Sequence, residues 1–395
     1  MRKMNQLRLA VICDYLEEDW PSMELCAQML IKHLQSEHAE SLQVVPVCPT
    51  FQKRFQRMPW LGRKRVALNG DRLLNRFWDY PRYLSQQLDD FDLFHVSDHT
   101  YAQLVHVLPP DRTGVFCHDL DAFRSLLEPE KEPRPAWFKA MSRRILHGFQ
   151  KAAVVFYSTA PVREKIEHYR LLERNSSEAG VLTKKLTPLV HAPYGISPEF
   201  SITPVHTSPT DQQVIEQIGE APFVLHVGSC IPRKRIDVLL DVFAALRIKH
   251  PDLRLVKVSG DWTESQQEQI TRLGIGNAII YLKGLERTTL AALYRRASVV
   301  LLTSEAEGFG LPVIEALACG AIIVVSDIPV LREVGGSAAV YCPVADVSAW
   351  VKTVEQLLEN PTTAPEYSLR LAQAQKYSWS AHAQTIAKAY LQLSR

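Results

Sequence analysis

Ser304-Glu305-Ala306-Glu307-Gly308-Phe309-Gly310-Leu311-Pro312-Val313-Ile314-Glu315-Ala316-Leu317-Ala318-Cys319-Gly320 is the stretch on which the reading of this 395-residue chain turns. It follows an apolar run at 299–303, a strand, and passes straight into a helical pattern. Pro312 has the fixed φ that suits a first helical turn, and Gly320 stands where a helix C-terminus favours glycine. Gly308 and Gly310 leave backbone N–H groups at the positive end of the helix dipole, an arrangement that suits a phosphate or sugar oxygen. Glu307 and Glu315 lie eight residues apart, and both can face a crevice at the carboxyl ends of the strands. Carboxylates accept two hydrogen bonds from vicinal hydroxyls such as those of a ribose or hexose. A Glu315 that merely complements the dipole is the competing reading. It does not explain strand, acid, glycines, proline and acid occurring in that order.

Outward from this stretch the second half alternates regularly. Strands are expected at 223–227, 254–259, 278–282, 299–303, 321–326 and 339–342, with helices at 236–249, 264–273, 287–297, 312–318 and 347–358. Strands apolar throughout, joined by helices, indicate a parallel sheet covered on both faces. The first half offers strands at 7–13, 42–47, 93–96, 114–117, 153–157 and 187–192, and a helix over 23–34. Between the halves, 201–211 holds Pro204, Pro209 and several Ser and Thr, a linker composition. The expected organisation is an α/β domain at 1–200, a linker at 201–211, a second α/β domain at 212–377 and a last helix over 378–395.

Composition narrows the function. The chain is 46% hydrophobic and 22% charged with a net charge of +2, so disorder is excluded and nothing in the total charge points to nucleic acid. Seven scattered cysteines without C-x-x-C exclude a disulfide framework or cysteine zinc site and fit a reducing cytosol. The apolar run at 9–13 is too short for a signal peptide, and no run is long enough to span a membrane. Residues 51–83 nevertheless carry nine basic side chains against two acids, interleaved with seven aromatics. That region reads either as a solvated helix with aromatics packed inward or as a surface for anionic lipid or a charged acceptor.

The second motif is His226-Val227-Gly228-Ser229-Cys230-Ile231-Pro232-Arg233-Lys234-Arg235. Arg233 and Lys234, placed between a strand and a helix, can present two cations to a diphosphate and offset charge on a leaving group. A solvated basic loop is the alternative. The two motifs together, E-G-F-G-L-P-x-x-E-A-x-A-x-G and G-x-x-x-P-R-K, resemble the retaining glycosyltransferases of the GT-B fold, family 4. The resemblance implies two Rossmann-like domains with parallel sheets facing a central cleft, the last helix crossing back to the first domain. It implies that Glu315 holds the nucleotide ribose and Glu307 the donor-sugar hydroxyls. The backbone of Gly308, Phe309, Gly310 and Leu311 would surround sugar and diphosphate, with Gly228 and Ser229 in the basic loop. Ser229 departs from the many members that carry Arg there.

In the first half, Phe116-Cys117-His118-Asp119-Leu120 is similar to the family's H-D-L element, which implies His118 facing the donor sugar. Another departure is the loop at 15–24, which lacks the usual Gly-Gly pair and implies an altered acceptor pocket. His95, His99, His106, Cys117, His118 and Asp119 lack the paired spacing of a metal site, and Asp119-Leu120-Asp121 is read as coincidence, so neither metal nor cofactor is expected. Gly274-Ile275-Gly276 precedes a strand and lacks a third glycine, against a dinucleotide dehydrogenase. The resulting expectation is a cytoplasmic, metal-independent hexosyltransferase, peripheral on the inner membrane face if 51–83 contacts lipid. Its donor is a nucleotide sugar and its acceptor a glycan, lipid-linked or small-molecule hydroxyl. Glu307, His118, Arg233 and Lys234 are the candidate catalytic residues. A non-catalytic sugar-binding protein and a sugar-nucleotide epimerase remain alternatives.

Overall fold

The structure, a computed structural model, describes residues 6–59, 65–178, 181–204 and 209–394. The strands in chain order are β1 (Leu7–Ile12), β2 (Leu42–Val47), β3 (Leu93–Val96), β4 (Thr113–Cys117), β5 (Val154–Tyr157), β6 (Glu173–Glu178), β7 (Val181–Leu186) and β8 (Leu189–His191). The later ones are β9 (Phe223–Val227), β10 (Arg254–Val258), β11 (Ile279–Leu282), β12 (Val299–Leu302), β13 (Ile323–Ser326) and β14 (Val340–Cys342). The chain divides into two units, Met1–Tyr194 with Trp379–Arg395, and Gly195–Ser378.

The first unit holds a parallel sheet in the order β2-β1-β3-β4-β5-β8. Runs such as Leu93-Phe94-His95-Val96 and Val154-Val155-Phe156-Tyr157 are buried at every position, as strands covered on both faces must be. The helix Trp379–Leu393 belongs to this unit. Its Tyr390 is wholly buried, donates its hydroxyl to the Phe94 carbonyl at 3.0 Å and meets His95 Nδ1 at 2.9 Å. The antiparallel pair β6–β7 has no counterpart in the expected pattern, because its polar sequence carries no apolar alternation.

The second unit has the order β11-β10-β9-β12-β13-β14, again wholly parallel. The winding reverses between β9 and β12. The chain leaves those two neighbours toward opposite faces, so their carboxyl ends border a crevice. Helix ends are specified locally: Thr263 and Gln266 form a reciprocal capping box at the start of Glu264–Leu273, and Gly274 ends it at φ +65°.

Two expected boundaries shift. The first unit ends at Tyr194 rather than residue 200, because the following segment is held by the second unit. Phe200 packs edge-on against Tyr294 at 5.9 Å, and the Arg295 guanidinium donates to the Ser201 carbonyl at 2.9 Å. The linker expected at 201–211 is shortened by the helix Pro209–Ile218, since proline suits a first helical turn as well as a loop; 205–208 lie outside the described residues.

Within the basic stretch 51–83, the loop at 51–59 folds onto the helix Arg65–Leu74. The buried Asp71 carboxylate accepts the N–H groups of Arg54, Phe55 and Gln56 at 2.9–3.1 Å, which hold it below the usual range against the cost of burial. The Asn75 side chain bonds both backbone polar groups of Gln52. Arg54 pairs with Asp79 and Arg76 with Glu18. Phe51 and Tyr80 are core, whereas Val66, Leu73, Leu74 and Trp78 are exposed, with the Arg82 guanidinium 4.6 Å over the Trp78 ring. Trp60, Arg63 and Lys64 lie outside the described residues.

Candidate functional site

Both decisive motifs occupy the crevice of the second unit. The loop after β9 carries Gly228, Ser229, Arg233 and Lys234; the loop after β12 carries Glu307 to Gly310. Backbone bonds fasten the two loops together. Glu305 N–H donates to the Arg233 carbonyl at 2.9 Å, and the Thr303 hydroxyl contacts the Lys234 and Arg235 carbonyls at 3.0 and 3.1 Å.

The side chains meet above these bonds. Lys234 Nζ donates to Glu307 Oε1 at 2.6 Å; Arg233 Nη1 reaches Glu307 Oε2 at 3.2 Å and the Ala306 carbonyl at 2.8 Å. The Glu307 side chain is 6% exposed. Burial would raise its pKa, but Lys234 and then Arg233 more than offset this and hold the carboxylate ionised. Two cations thus share one anion, leaving the cluster a net positive charge next to backbone amides. Gly310 has φ +96°, and a Cβ there would sit 2.9 Å from Leu331, so glycine is required for this turn. The Gly310 and Leu311 N–H groups find no acceptor among the described residues, at the start of helix Leu311–Ala318.

Glu315, one turn further on, occupies a different setting. It is buried and accepts the Tyr294 hydroxyl at 3.0 Å. Burial raises it to about 7, with Tyr294 and Arg287 opposing the rise. A helix-dipole partner would sit in solvent; this carboxyl is kept inside, poised between its two forms near neutrality.

The first unit carries His118 at the end of β4. Its Nε2–H donates to the Ser97 carbonyl at 2.8 Å, and its Nδ1 accepts from Tyr194 Oη. Burial holds the ring neutral. Both nitrogens are thus engaged inside this unit. Nearby, at the carboxyl ends of β1 and β3, Asp14 is pushed well up by burial and the neighbouring Asp98, while Asp98 stays ionised beside His99. A cavity of about 910 Å³ opens alongside the helix Pro21–Glu37, lined among others by Tyr15, Trp20, Met23, Glu24, Gln28 and Phe51. The glycine-free loop is anchored there by its side chains. Tyr15 packs among Phe51, Tyr80 and Tyr101, and Glu18 pairs with Arg76. Of the six weighed metal ligands, His95 bonds Tyr390 and His106 the Arg144 carbonyl. No three His, Cys, Asp or Glu among the described residues are grouped to hold a metal.

Sequence reasoning did not single out Tyr294, Asp14 or Lys257. Lys257 left a visible signal, a lysine inside the apolar strand Leu255-Val256-Lys257-Val258. Tyr294 left none, since its partner lies on another helix.

Residues 208–377 match the family model described as Glycosyl transferases group 1. The O-antigen chain mannosyltransferase RfbU of Salmonella typhimurium is 29% identical over 169 residues, 42% of this chain and 47% of that protein. The O-antigen chain mannosyltransferase B of Escherichia coli is 32% identical over 169 residues, 41% and 44% of the two chains. This chain spans less than half the length of these curated relatives. Among solved structures, the Anabaena HepE protein in complex with UDP and glucose superposes with a TM-score of 0.66 at 18% identity, over 97% of this chain and 99% of that one. The α,α-trehalose-phosphate synthase (UDP-forming) of Burkholderia vietnamiensis does so with a TM-score of 0.70 at 16% identity, over 100% and 98%. The architecture is GT-B, and residues 208–377 are the part of the chain that matches the group 1 glycosyl transferase model.

Proposed function

We propose that this protein is a retaining glycosyltransferase that moves a hexose-type sugar from a nucleotide sugar to a hydroxyl acceptor. The observation that carries the reading is the Arg233–Lys234–Glu307 cluster at the point where the strand order reverses. The departing diphosphate gathers negative charge, and two preset cations with outward amides offset it without reorganisation. They supply the charge that a metal supplies in other transferases, so none is proposed. Glu307, held ionised by both cations, is suited to accept sugar hydroxyls rather than to attack carbon. Retention then follows if the leaving oxygen takes the acceptor proton on the same face. Glu315 accepts the ribose hydroxyls, and His118 serves the donor sugar by exchanging one of its present partners. The relatives named as mannosyltransferases and the neighbour solved with UDP and glucose make GDP-mannose and UDP-glucose the first donors to test.

Release of nucleoside diphosphate, measured for a panel of donors with glycan, lipid-linked and small-molecule acceptors, tests the reading. Acceptor-dependent release with an anomerically retained product is expected. Binding without turnover across the panel favours a sugar-binding protein, and turnover of donor without acceptor an epimerase.

Among the described residues no helix is long and apolar enough to cross a membrane. A cytoplasmic protein meeting the anionic membrane through 51–83 is part of the proposal, supported by exposed Val66, Leu73 and Trp78 beside Arg65 and Arg82. Each basic side chain near such a surface contributes about 1 kcal/mol. The protein is expected to sediment with phosphatidylglycerol vesicles in low salt but not with phosphatidylcholine alone, and Trp78→Ala with Arg82→Ala to weaken this severalfold. Equal sedimentation with both vesicles would remove the lipid contact from the proposal.

A further inference from the structure

Lys257 lies in the middle of the second sheet, paired in register with His226 of β9. It is wholly buried, and an ammonium persists there only if its protons are taken. They are: Nζ donates to the Gly228 carbonyl at 2.6 Å, to that of Val258 at 3.3 Å, and to that of Ser259. It therefore draws together the carboxyl ends of β9 and β10, on the inner side of the basic loop.

The direction of these bonds matters. A trans peptide is planar, so the carbonyl of Gly228 and the N–H of Ser229 point opposite ways. Drawing the carbonyl inward turns the Ser229 N–H outward, and that N–H has no acceptor among the described residues. Space lies open over Gly228, whose φ is +155°: a Cβ there would come no nearer than 3.5 Å to His226 Nε2 and 3.9 Å to Lys234 Cε. The turn after β10 clamps the same loop, since a Cβ on Gly260 would fall 2.6 Å from Cys230 N and Ser229 Cα. Arg233 and Lys234, meanwhile, are already half neutralised by Glu307.

We infer that Lys257 is a positioning residue of the diphosphate site, holding the Gly228 carbonyl inward so that the Ser229 amide faces the ligand, and placing a third positive charge behind the loop. The inference rests on the donor-site reading above. A lysine that only fastened two strand ends would affect all ligands of the unit alike. One that serves a diphosphate affects nucleotides and spares nucleosides.

Calorimetric affinities for UDP against uridine and GDP against guanosine separate these cases in the unaltered chain, Lys257→Met and Lys257→Arg. Lys257→Met is expected to weaken the diphosphate about tenfold or more and the nucleoside less than about twofold, with Lys257→Arg retaining most of the discrimination. Equal losses for both ligands, or no loss in folded Lys257→Met, overturn the inference. If the unaltered chain binds neither diphosphate, the donor-site reading itself fails and this inference with it. If the methionine variant does not fold, the unaltered chain still decides. Burial brings Lys257 down to about 8, so its charge is lost as pH rises through that value. The groups facing it are His226, which burial and Lys257 keep neutral, the Cys230 thiol, which burial pushes up, and Lys234, paired with Glu307. The diphosphate-to-nucleoside affinity ratio should fall severalfold between about pH 7 and about pH 9.5. A flat ratio overturns the inference.

Discussion

A Glu307→Gln protein is expected to fold and to transfer sugar about a hundred- to a thousandfold more slowly, the range found when a preset transition-state partner is removed. Glutamine keeps the shape and one acceptor oxygen but releases Lys234 and Arg233 from a 2.6 Å and a 3.2 Å ion pair. It also takes away the carboxylate proposed to receive sugar hydroxyls. Alanine is the poorer probe. From sequence, Glu307→Ala is expected to abolish transfer with the fold intact. The structure adds that Lys234 and Arg233, only 12% and 23% exposed, would both lose Glu307 as an ion-pair partner. Removing one partner of a buried pair costs about 3–5 kcal/mol, and these partly exposed cations a fraction of that. Melting temperature and steady-state diphosphate release on both variants separate the effects. Undiminished turnover by a folded Glu307→Gln protein would remove Glu307 from the mechanism.

Glu315→Gln should produce opposite effects on stability and on binding. An ordinary glutamate ionises near 4.5, and burial moves Glu315 to about 7. Between those values the native state holds a proton that the unfolded chain has lost, so this group's contribution to stability falls as pH rises from about 4.5 to about 7 and stays low above that. Glutamine removes that cost and retains a partner for Tyr294. The variant should therefore match the parent near pH 4.5 and melt no lower than the parent at pH 8. Its affinity for the nucleoside part of the donor should drop about ten- to a hundredfold, the scale of a charge-assisted hydrogen bond. In the parent, nucleoside affinity should weaken as pH falls below 7 and Glu315 takes up its proton. Calorimetry and thermal melts across pH measure both. A variant that loses stability at pH 8 while binding nucleoside normally would make Glu315 a structural residue.

Much of the candidate site was legible because it is local. Strand, glycine loop and helix follow one another within Val299–Ala318, and Arg233 and Lys234 stand directly before the helix Ile236–Lys249. Spacing alone puts such groups at the carboxyl end of a sheet. The register between distant strands is not local. That β9 lies between β10 and β12 is what brings Lys234 to Glu307 across 73 residues, and His226 beside Lys257. The Tyr294–Glu315 pair likewise depends on two helices packing on one face of the sheet.

The sequence by itself determined the class of fold and which residues stand in the loops after β9 and β12, since periodicity, glycines and caps act over a few residues. Only the tertiary structure decided their charge states and partners. Burial and ion pairing arise between segments far apart in the chain, and these make Glu307 an anion, leave Glu315 near neutrality and keep Lys257 beneath the loop. The end of the first unit at Tyr194 was decided in the same way, by what the following segment packs against.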